Sequence, residues 1–536
     1  VHDEILYQEQ NPSRGFQSSV DYKLVFGLGT NGTIDSIKVV WPGGTITRLD
    51  QIQANQVLEL NEKDARLEQV AHQAIAKPLF TRYTDPSLDF NHQENQYVDF
   101  HQERLLFHMN STEGPCICKG DVDNDSREDL YIGGASGQPG RLLMQTDSLE
   151  FLSSTEPFQA DAESEDLDCV FFDANNDGNL DLYVASGGSE FSSISPWLKD
   201  RLYFGNGQGG FFKSDQRLPN KGYESTTAVV PVDFDSDGDL DLFVGGRLLP
   251  FYYGVPADSY LLHNDGNGVF TRVSDATTSA LNQLGLVTDA TLADVDGDNR
   301  EELIVVGRWM PVKVFKLSES GVKDISGDWI PEKSNGWYNT VKADDLNGDG
   351  KIDLIVGNHG LNSRFKATFD EPISLLVNDF DNSGTYEQVI SMYADGKQYP
   401  FAQLKDLAAQ LPQMAQRYQS FNDYQYDQTS AVFPEELQKQ GFVLHAYNLA
   451  SGILINQGSK FQFELLPARA QFSPVYAIKT GDFNHDGFID IITGGNFSHS
   501  KPEVGTYTAG FGALFNGLGN MAFEFIPNAT AGFHIQ

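Results

Sequence analysis

The chain has 536 residues, 40% of them hydrophobic, with 51 Gly and with 37 basic against 75 acidic residues, a net charge of −38. That length exceeds one average domain, and the apolar share builds a sizeable core and excludes global disorder. The acidic excess excludes nucleic acid and anionic lipid as partners, because both require neutralisation by Lys and Arg.

Residues 1–62 carry alternating apolar patterns, as in SIKVVWPGG (Ser36 to Gly44) and QVLELNE, and read as a small β-domain. The opening VHDEILYQEQ has no signal-peptide pattern, which a mature or trimmed chain would also show. Residues 63–78 are polar and read as a linker. The segment NHQENQYVDFHQERLLFH places His92, His101 and His108 near Glu94, Asp99 and Glu103. Histidine spacings of nine and seven match no compact zinc pattern, so packing and hydrogen bonding are the expected roles. Cys116, Cys118 and Cys169 are an odd set in a long chain and read as small core residues.

From residue 79 onward one pattern recurs seven times: an apolar run, a nine-residue acidic loop, and a second apolar run. The loops are DVDNDSRED from Asp121, DANNDGNLD from Asp173, DFDSDGDLD from Asp233, DVDGDNREE from Asp294, DLNGDGKID from Asp345, DFDNSGTYE from Asp379 and DFNHDGFID from Asp482. Their starts are separated by 52, 60, 61, 51, 34 and 103 residues. Steps of 50–60 suit a unit of four strands, near the size of a propeller blade. The step of 34 is too short for one. Within the step of 103, helical periodicity from about 400 to 440 predicts a helical insertion in a late blade. No run of 18 apolar residues is present, so no membrane-spanning helix is expected.

Each loop presents oxygen ligands at positions 1, 3, 5 and 9, a spacing that suits calcium, a hard cation taking six to eight oxygens. The candidate ligands are Asp121, Asp123, Asp125 and Asp129; Asp173, Asn175, Asp177 and Asp181; Asp233, Asp235, Asp237 and Asp241; and Asp294, Asp296, Asp298 and Glu302. They continue with Asp345, Asn347, Asp349 and Asp353; Asp379, Asp381, Ser383 and Glu387; and Asp482, Asn484, Asp486 and Asp490. Position 6 is the sharp turn, with Ser126 and Asn299 replacing Gly in two loops. An acidic hairpin turn without metal explains a single such loop. Seven in one phase, holding 24 acids at those positions, favour up to seven calcium ions. The Asp379 loop, with Ser383 at position 5, is the weakest candidate.

The DxDxDGxxDL pattern between strands is similar to the FG-GAP, or VCBS, repeats of integrin-α-type propellers, over roughly residues 79–536. RGFQSS (Arg14 to Ser19), FGLG (Phe26 to Gly29), VVWPGG (Val39 to Gly44) and NQVLELNE resemble the ASPIC/UnbV domain, which accompanies such propellers in cartilage acidic proteins and bacterial surface proteins. The resemblance implies an all-β fold with a seven-bladed propeller, calcium in the blade loops, export from the cell, and protein or glycan binding with no established reaction. The ASPIC/UnbV match lacks its opening strands, and closing strands are expected beyond AGFHIQ, so blade count and ring closure stay open.

The leading expectation is an extracellular calcium-binding scaffold for protein binding or adhesion. A glycan-binding module is the alternative, and a polysaccharide-acting enzyme the third reading. No GxSxG or P-loop is present, and a GxGxxG match lacks its strand–turn–helix context. Trp309, Trp337 and Tyr338 read as core residues, with a sugar-stacking face as the alternative, and Asn31, Asn110, Asn496 and Asn528 open Asn-x-Ser/Thr triplets that suggest surface positions.

Overall fold

The computed structural model describes residues 5–66, apart from 12, 14, 16 and 17, and residues 78–534, apart from 85, 89, 149 and 221–223. Most of the predicted linker, residues 67–77, and Arg14, Phe16 and Gln17 of the RGFQSS motif lie outside the described residues. The chain divides into two compact units, Val1–Lys77 and Pro78–Gln536.

The first unit is built on one antiparallel hairpin, Thr33–Val40 with Ile46–Gln53, in register from Thr33 opposite Gln53 to Val40 opposite Ile46. Pro42, Gly43 and Gly44 make the turn, and Gly44 takes φ 80°, where a β-carbon would be strained. Glu62 Oε1 accepts the Gly43 N–H at 3.3 Å, and backbone bonds between Ile46 and Arg66 tie the end of the unit to the hairpin.

The second unit holds seven antiparallel sheets of four strands, here lettered A to G. Sheet A comprises Ile117–Gly120, Asp129–Ile132, Arg141–Gln145 and Phe151–Ser154; sheet B comprises Glu165–Phe172, Asp181–Gly187, Arg201–Gly205 and Phe211–Lys213. Sheet C comprises Ser225–Val232, Asp241–Leu248, Tyr260–Asn264 and Phe270–Arg272. Sheet D comprises Leu286–Ala293, Glu302–Met310, Lys313–Ser318 and Gly321–Asp324, with Gly336–Trp337 added beside its second strand. Sheet E comprises Thr340–Asp344, Asp353–Gly357, Gly452–Asn456 and Phe461–Leu465. Sheet F comprises Lys397–Pro400, Glu387–Ala394, Ile373–Asn378 and Phe442–Ala446, in spatial order, and sheet G comprises Ala477–Gly481, Asp490–Gly494, Ala513–Gly517 and Phe523–Ile526. Second strands such as Asp241–Leu248 and Glu302–Met310 are buried along their whole length. Such strands are packed on both faces, which explains their unbroken apolar runs.

Sheets A, B, C, D, E and G share one topology: strands in simple order, with the acidic loop joining the first to the second. Their first strands pack against one another in that sequence. Side chains fasten neighbour to neighbour. Asp168 of B accepts the Val229 N–H of C at 2.8 Å, and Asp289 of D accepts the Val341 N–H of E at 2.9 Å.

The expected number of four-stranded sheets, seven, is present, but sheet F departs from this plan in its connections. It is inserted between the second and third strands of E, and its acidic loop joins its two central strands. Ile373–Asn378, which would be the first strand of a blade, is paired on its far edge by Phe442–Ala446. The insertion is therefore a sheet together with five short helices, not helices alone. The helices span Leu404–Gln410, Pro412–Arg417, Phe421–Tyr424, Thr429–Val432 and Glu435–Gln438, and they pack Leu404, Leu407, Met414 and Val432 against F. The other face of F, with Ile373, Leu375 and Val377, covers Leu248, Tyr253, Leu286, Trp309 and Trp337. Those residues lie at the ends of C and D remote from the acidic loops. The loop spacing of 34 residues is thus the distance from E into its own insertion.

Trp309, Trp337 and Tyr338 are buried core residues. Asn110 is 1% exposed, which corrects its reading as a surface position. The three cysteines are free; Cys116 and Cys169 pack in the core between A and B. Among the described residues no helix is long and apolar enough to cross a membrane.

Candidate metal sites

All seven acidic loops adopt one backbone conformation. Position 6 has φ between 63° and 96° in every loop, from Asn299 to Gly238. Position 4 is also left-handed, with φ between 56° and 78°, and is occupied by Asn124, Asn176, Ser236, Gly297, Gly348, Asn382 and His485. The sequence pattern signals position 6 through glycine, but position 4 is masked by four residue types. Asn and Gly there follow the physical rule for left-handed residues; Ser236 and His485 are held by the rest of the loop.

Hydrogen bonds impose that conformation. The position 1 carboxylate accepts the N–H of position 6, as Asp121 does from Ser126 at 2.8 Å and Asp482 from Gly487 at 3.0 Å. Position 3 accepts the N–H of position 5, as in Asn347 with Asp349 at 2.8 Å and Asp381 with Ser383 at 3.0 Å. Position 5 accepts the N–H of position 7, as in Asp237 with Asp239 at 3.0 Å. These bonds turn the oxygens of positions 1, 3 and 5 inward over a ring of amide dipoles. The Asp379 loop, with Ser383 at position 5, has the same arrangement, including Gly384 N–H on Asp379 at 2.9 Å.

Position 9 does a second job. Asp129, Asp181, Asp241, Glu302, Asp353, Glu387 and Asp490 are each no more than 1% exposed. One oxygen of each accepts the N–H of loop position 2, between 3.0 Å for Val122 and 3.3 Å for Leu346. In A, B, C, E and G the other oxygen accepts an N–H of the third strand, at 2.8 Å for Gln145, Gly205 and Asn264 and 2.9 Å for Asn456 and Gly517. Burial, with neighbouring loop carboxylates adding to it, pushes Asp181, Asp241 and Asp353 up to about 6 and Glu387 up to about 7. Asp129, Glu302 and Asp490 are raised for the same first cause.

Ligand oxygens gather within 4.8 Å of one another in Asp121, Asp123 and Asp129; in Asp233, Asp235 and Asp237; in Asp294, Asp296 and Glu302; and in Asp379, Asp381 and Glu387. That spread fits oxygens on opposite sides of one calcium ion, which binds each at about 2.4 Å. In addition, no donor reaches the buried Oδ1 of Asp123. Among the described residues the three acids of the loops in B, E and G do not meet that spacing. There position 3 is Asn175, Asn347 or Asn484, which offers an amide oxygen in place of a carboxylate.

Side chains of the third strand, absent from the nine-residue pattern, reach three loops. His263 Nδ1 lies 3.2 Å from Asp241 and 3.5 Å from Asp235. Asn516 Nδ2 donates to Asp486 at 3.3 Å. Lys316 Nζ pairs with Asp296, lies 2.7 Å from Asp298 and 3.5 Å from Glu302, and so places an ammonium against the acids of the D loop. A calcium titration of Lys316→Met is expected to show one site tightening about tenfold, because a competing cation has been removed. No change would mean that the ammonium yields to the ion without cost.

The histidines near residue 100 do not converge. His92 pairs with Glu94 at 2.6 Å, His101 is exposed, and His108 Nε2 is buried against Arg308 Nη1. Arg308 and Arg247 flank Glu113, with Arg247 Nε 2.8 Å from its Oε2. The arginines hold the Glu113 carboxyl low against its burial.

The fold and its loops define a repeat protein whose sheets each carry an acidic, cage-shaped turn. Residues 173–244 and 294–356 match the FG-GAP-like repeat family, and residues 1–67 match the ASPIC and UnbV family. No curated protein matches the sequence. Among solved structures the chain is similar to a lectin of Agrocybe aegerita described as recognising non-reducing terminal N-acetylglucosamine, with 13% identity, 77% of this chain and 79% of the lectin covered, and a TM-score of 0.39. It is also similar to the V. cholerae biofilm matrix protein Bap1, with 11% identity, 80% and 81% covered, and a TM-score of 0.32.

Proposed function

We propose that this chain is a calcium-binding β-propeller scaffold that works outside the cytoplasm as a protein-binding or adhesion module, without catalysing a reaction. Sheets A, B, C, D, E and G are its blades, and F with its helices is a cap at the end remote from their loops. The observation that carries the proposal is the common geometry of seven acidic loops, left-handed at positions 4 and 6 and with inward-turned oxygens. Uncompensated, two carboxylates about 4 Å apart repel by roughly 1–4 kcal/mol. A dication in each loop removes that repulsion and ties the first two strands of the sheet together.

Loops of this kind bind calcium with dissociation constants of about 10⁻⁴–10⁻³ M when they serve extracellular modules. They fill where calcium is near millimolar and stay empty in cytosol, so the fold is at full strength only after export. Equilibrium dialysis of the purified chain against 2 mM calcium, followed by elemental analysis, is expected to find one ion per loop at most sites. A chain that carries none would refute the proposal.

A further inference from the structure

The acidic loops differ at one place outside the nine-residue pattern. In sheets A, B, C, D, E and G the residue after loop position 9 pairs in register with a third-strand residue, as Leu242 does with Leu262 and Leu303 with Phe315. The next third-strand residue therefore stands at an equivalent position beside each loop. It is Met144, Phe204, His263, Lys316, Ile455 and Asn516 in turn. Where that residue is polar, its side chain reaches the loop. Lys316 Nζ lies 2.7 Å from Asp298, Asn516 Nδ2 lies 3.3 Å from Asp486, and His263 Nδ1 lies 3.2 Å from Asp241. The three side chains offer an ion different things: an ammonium repels it, an amide offers oxygen, and an imidazole offers a nitrogen lone pair.

Among the described residues the loop of sheet C alone brings a histidine into ligand spacing. His263, Asp235 and Asp241 offer atoms within 4.8 Å of one another, and Asp235 gathers in the same way with Asp233 and Asp237. His263 Nδ1 lies 3.2 Å from Asp241 Oδ1 and 3.5 Å from Asp235 Oδ2, separations that suit neighbouring ligands of an ion binding each at about 2.1 Å. The hydrogen bond available instead is a weak one. The Asp241 contact is at the long limit for N–H···O, and the same oxygen already accepts the Asn264 N–H at 2.8 Å. Phe234 holds the imidazole from one side, its ring perpendicular and its centroid 6.2 Å away.

We propose, resting on the reading of the loops as ion cages, that His263 makes the sheet C loop selective for a first-row transition ion of the zinc class, bound through Nδ1 together with Asp235 and Asp241. Loops that offer oxygen alone keep their preference for calcium. Calcium is a hard cation that takes oxygen ligands and gains little from nitrogen, whereas zinc and cobalt bind imidazole and carboxylate together. The ion takes the Nδ1 lone pair, so a proton carried there is released to solvent on binding.

The test uses cobalt, a coloured substitute for zinc, titrated into the full chain held in 2 mM calcium, with His263→Gln alongside. Wild type is expected to retain one cobalt ion per chain that calcium does not displace, and His263→Gln is expected to lose it. Cobalt retained equally by both chains, or by neither, overturns the proposal. Elemental analysis of calcium in the same samples separates the two readings. Selective cobalt with no bound calcium refutes the calcium scaffold and leaves the His263 site in place; bound calcium without selective cobalt does the reverse. Zinc anomalous scattering from wild-type crystals grown in calcium and zinc does not depend on the variant folding. A peak within bonding distance of His263 Nδ1 is expected there, and its absence overturns the proposal.

Discussion

Chelation with EDTA is expected to lower the melting temperature by on the order of 10 °C or more relative to 2 mM calcium, read by calorimetry at pH 7.5. At 2 mM calcium and these dissociation constants one ion contributes about 0.6–1.8 kcal/mol, and 1 kcal/mol moves the melting point of a mid-sized domain by about 2–4 °C, so several ions together dominate. The effect of pH follows from the acids at position 9. Their carboxyls titrate higher in the fold than in the unfolded chain, up to about 6 for Asp181, Asp241 and Asp353 and about 7 for Glu387. A group with a raised folded pKa contributes stability that is complete below its unfolded value, near 4, and is lost as pH rises through the folded value. In EDTA the chain should therefore melt higher at pH 5.5 than at pH 7.5. In calcium the order reverses, because protons then displace the ion that does more. A melting point indifferent to EDTA at pH 7.5 would remove the basis of the calcium reading.

The loops were legible because ligand chemistry fixes a local spacing. Asp233, Asp235, Asp237 and Asp241 act within nine residues, and no distant pairing is needed to see it. What escaped is non-local. His263, Lys316 and Asn516 reach the loops from third strands, and their distance along the chain varies with the intervening hairpin. The insertion was half seen. Helical periodicity from about 400 to 440 announced helices, but nothing local tells that Gly452–Asn456 pairs with Asp353–Gly357 across the whole of sheet F. The steps of 34 and 103 residues were its only trace.

The two roles of loop acids separate in a pair of substitutions in sheet E. Asp349, at position 5, is exposed and accepts the Lys351 N–H, at 2.9 Å, and its ammonium, at 3.4 Å. Asp353, at position 9, is 1% exposed and accepts the buried N–H groups of Leu346 at 3.3 Å and Asn456 at 2.9 Å. Asp349→Ala removes an ion ligand and leaves no buried donor unpaired. Asp353→Ala strands two donors and frees the third strand from the loop, at about 1–3 kcal/mol for each buried group left without a partner. In EDTA, urea melts should show Asp349→Ala within about 0.5 kcal/mol of wild type and Asp353→Ala lower by about 2–5 kcal/mol. In calcium both should fall below wild type, since each has lost an oxygen of the cage. If Asp353→Ala matched wild type in EDTA, position 9 would be a ligand and nothing more. The hydrogen bonds recurring at seven loops argue otherwise: that carboxylate fastens the hairpin with no ion present, and the calcium proposed here would complete a cage the backbone has already drawn.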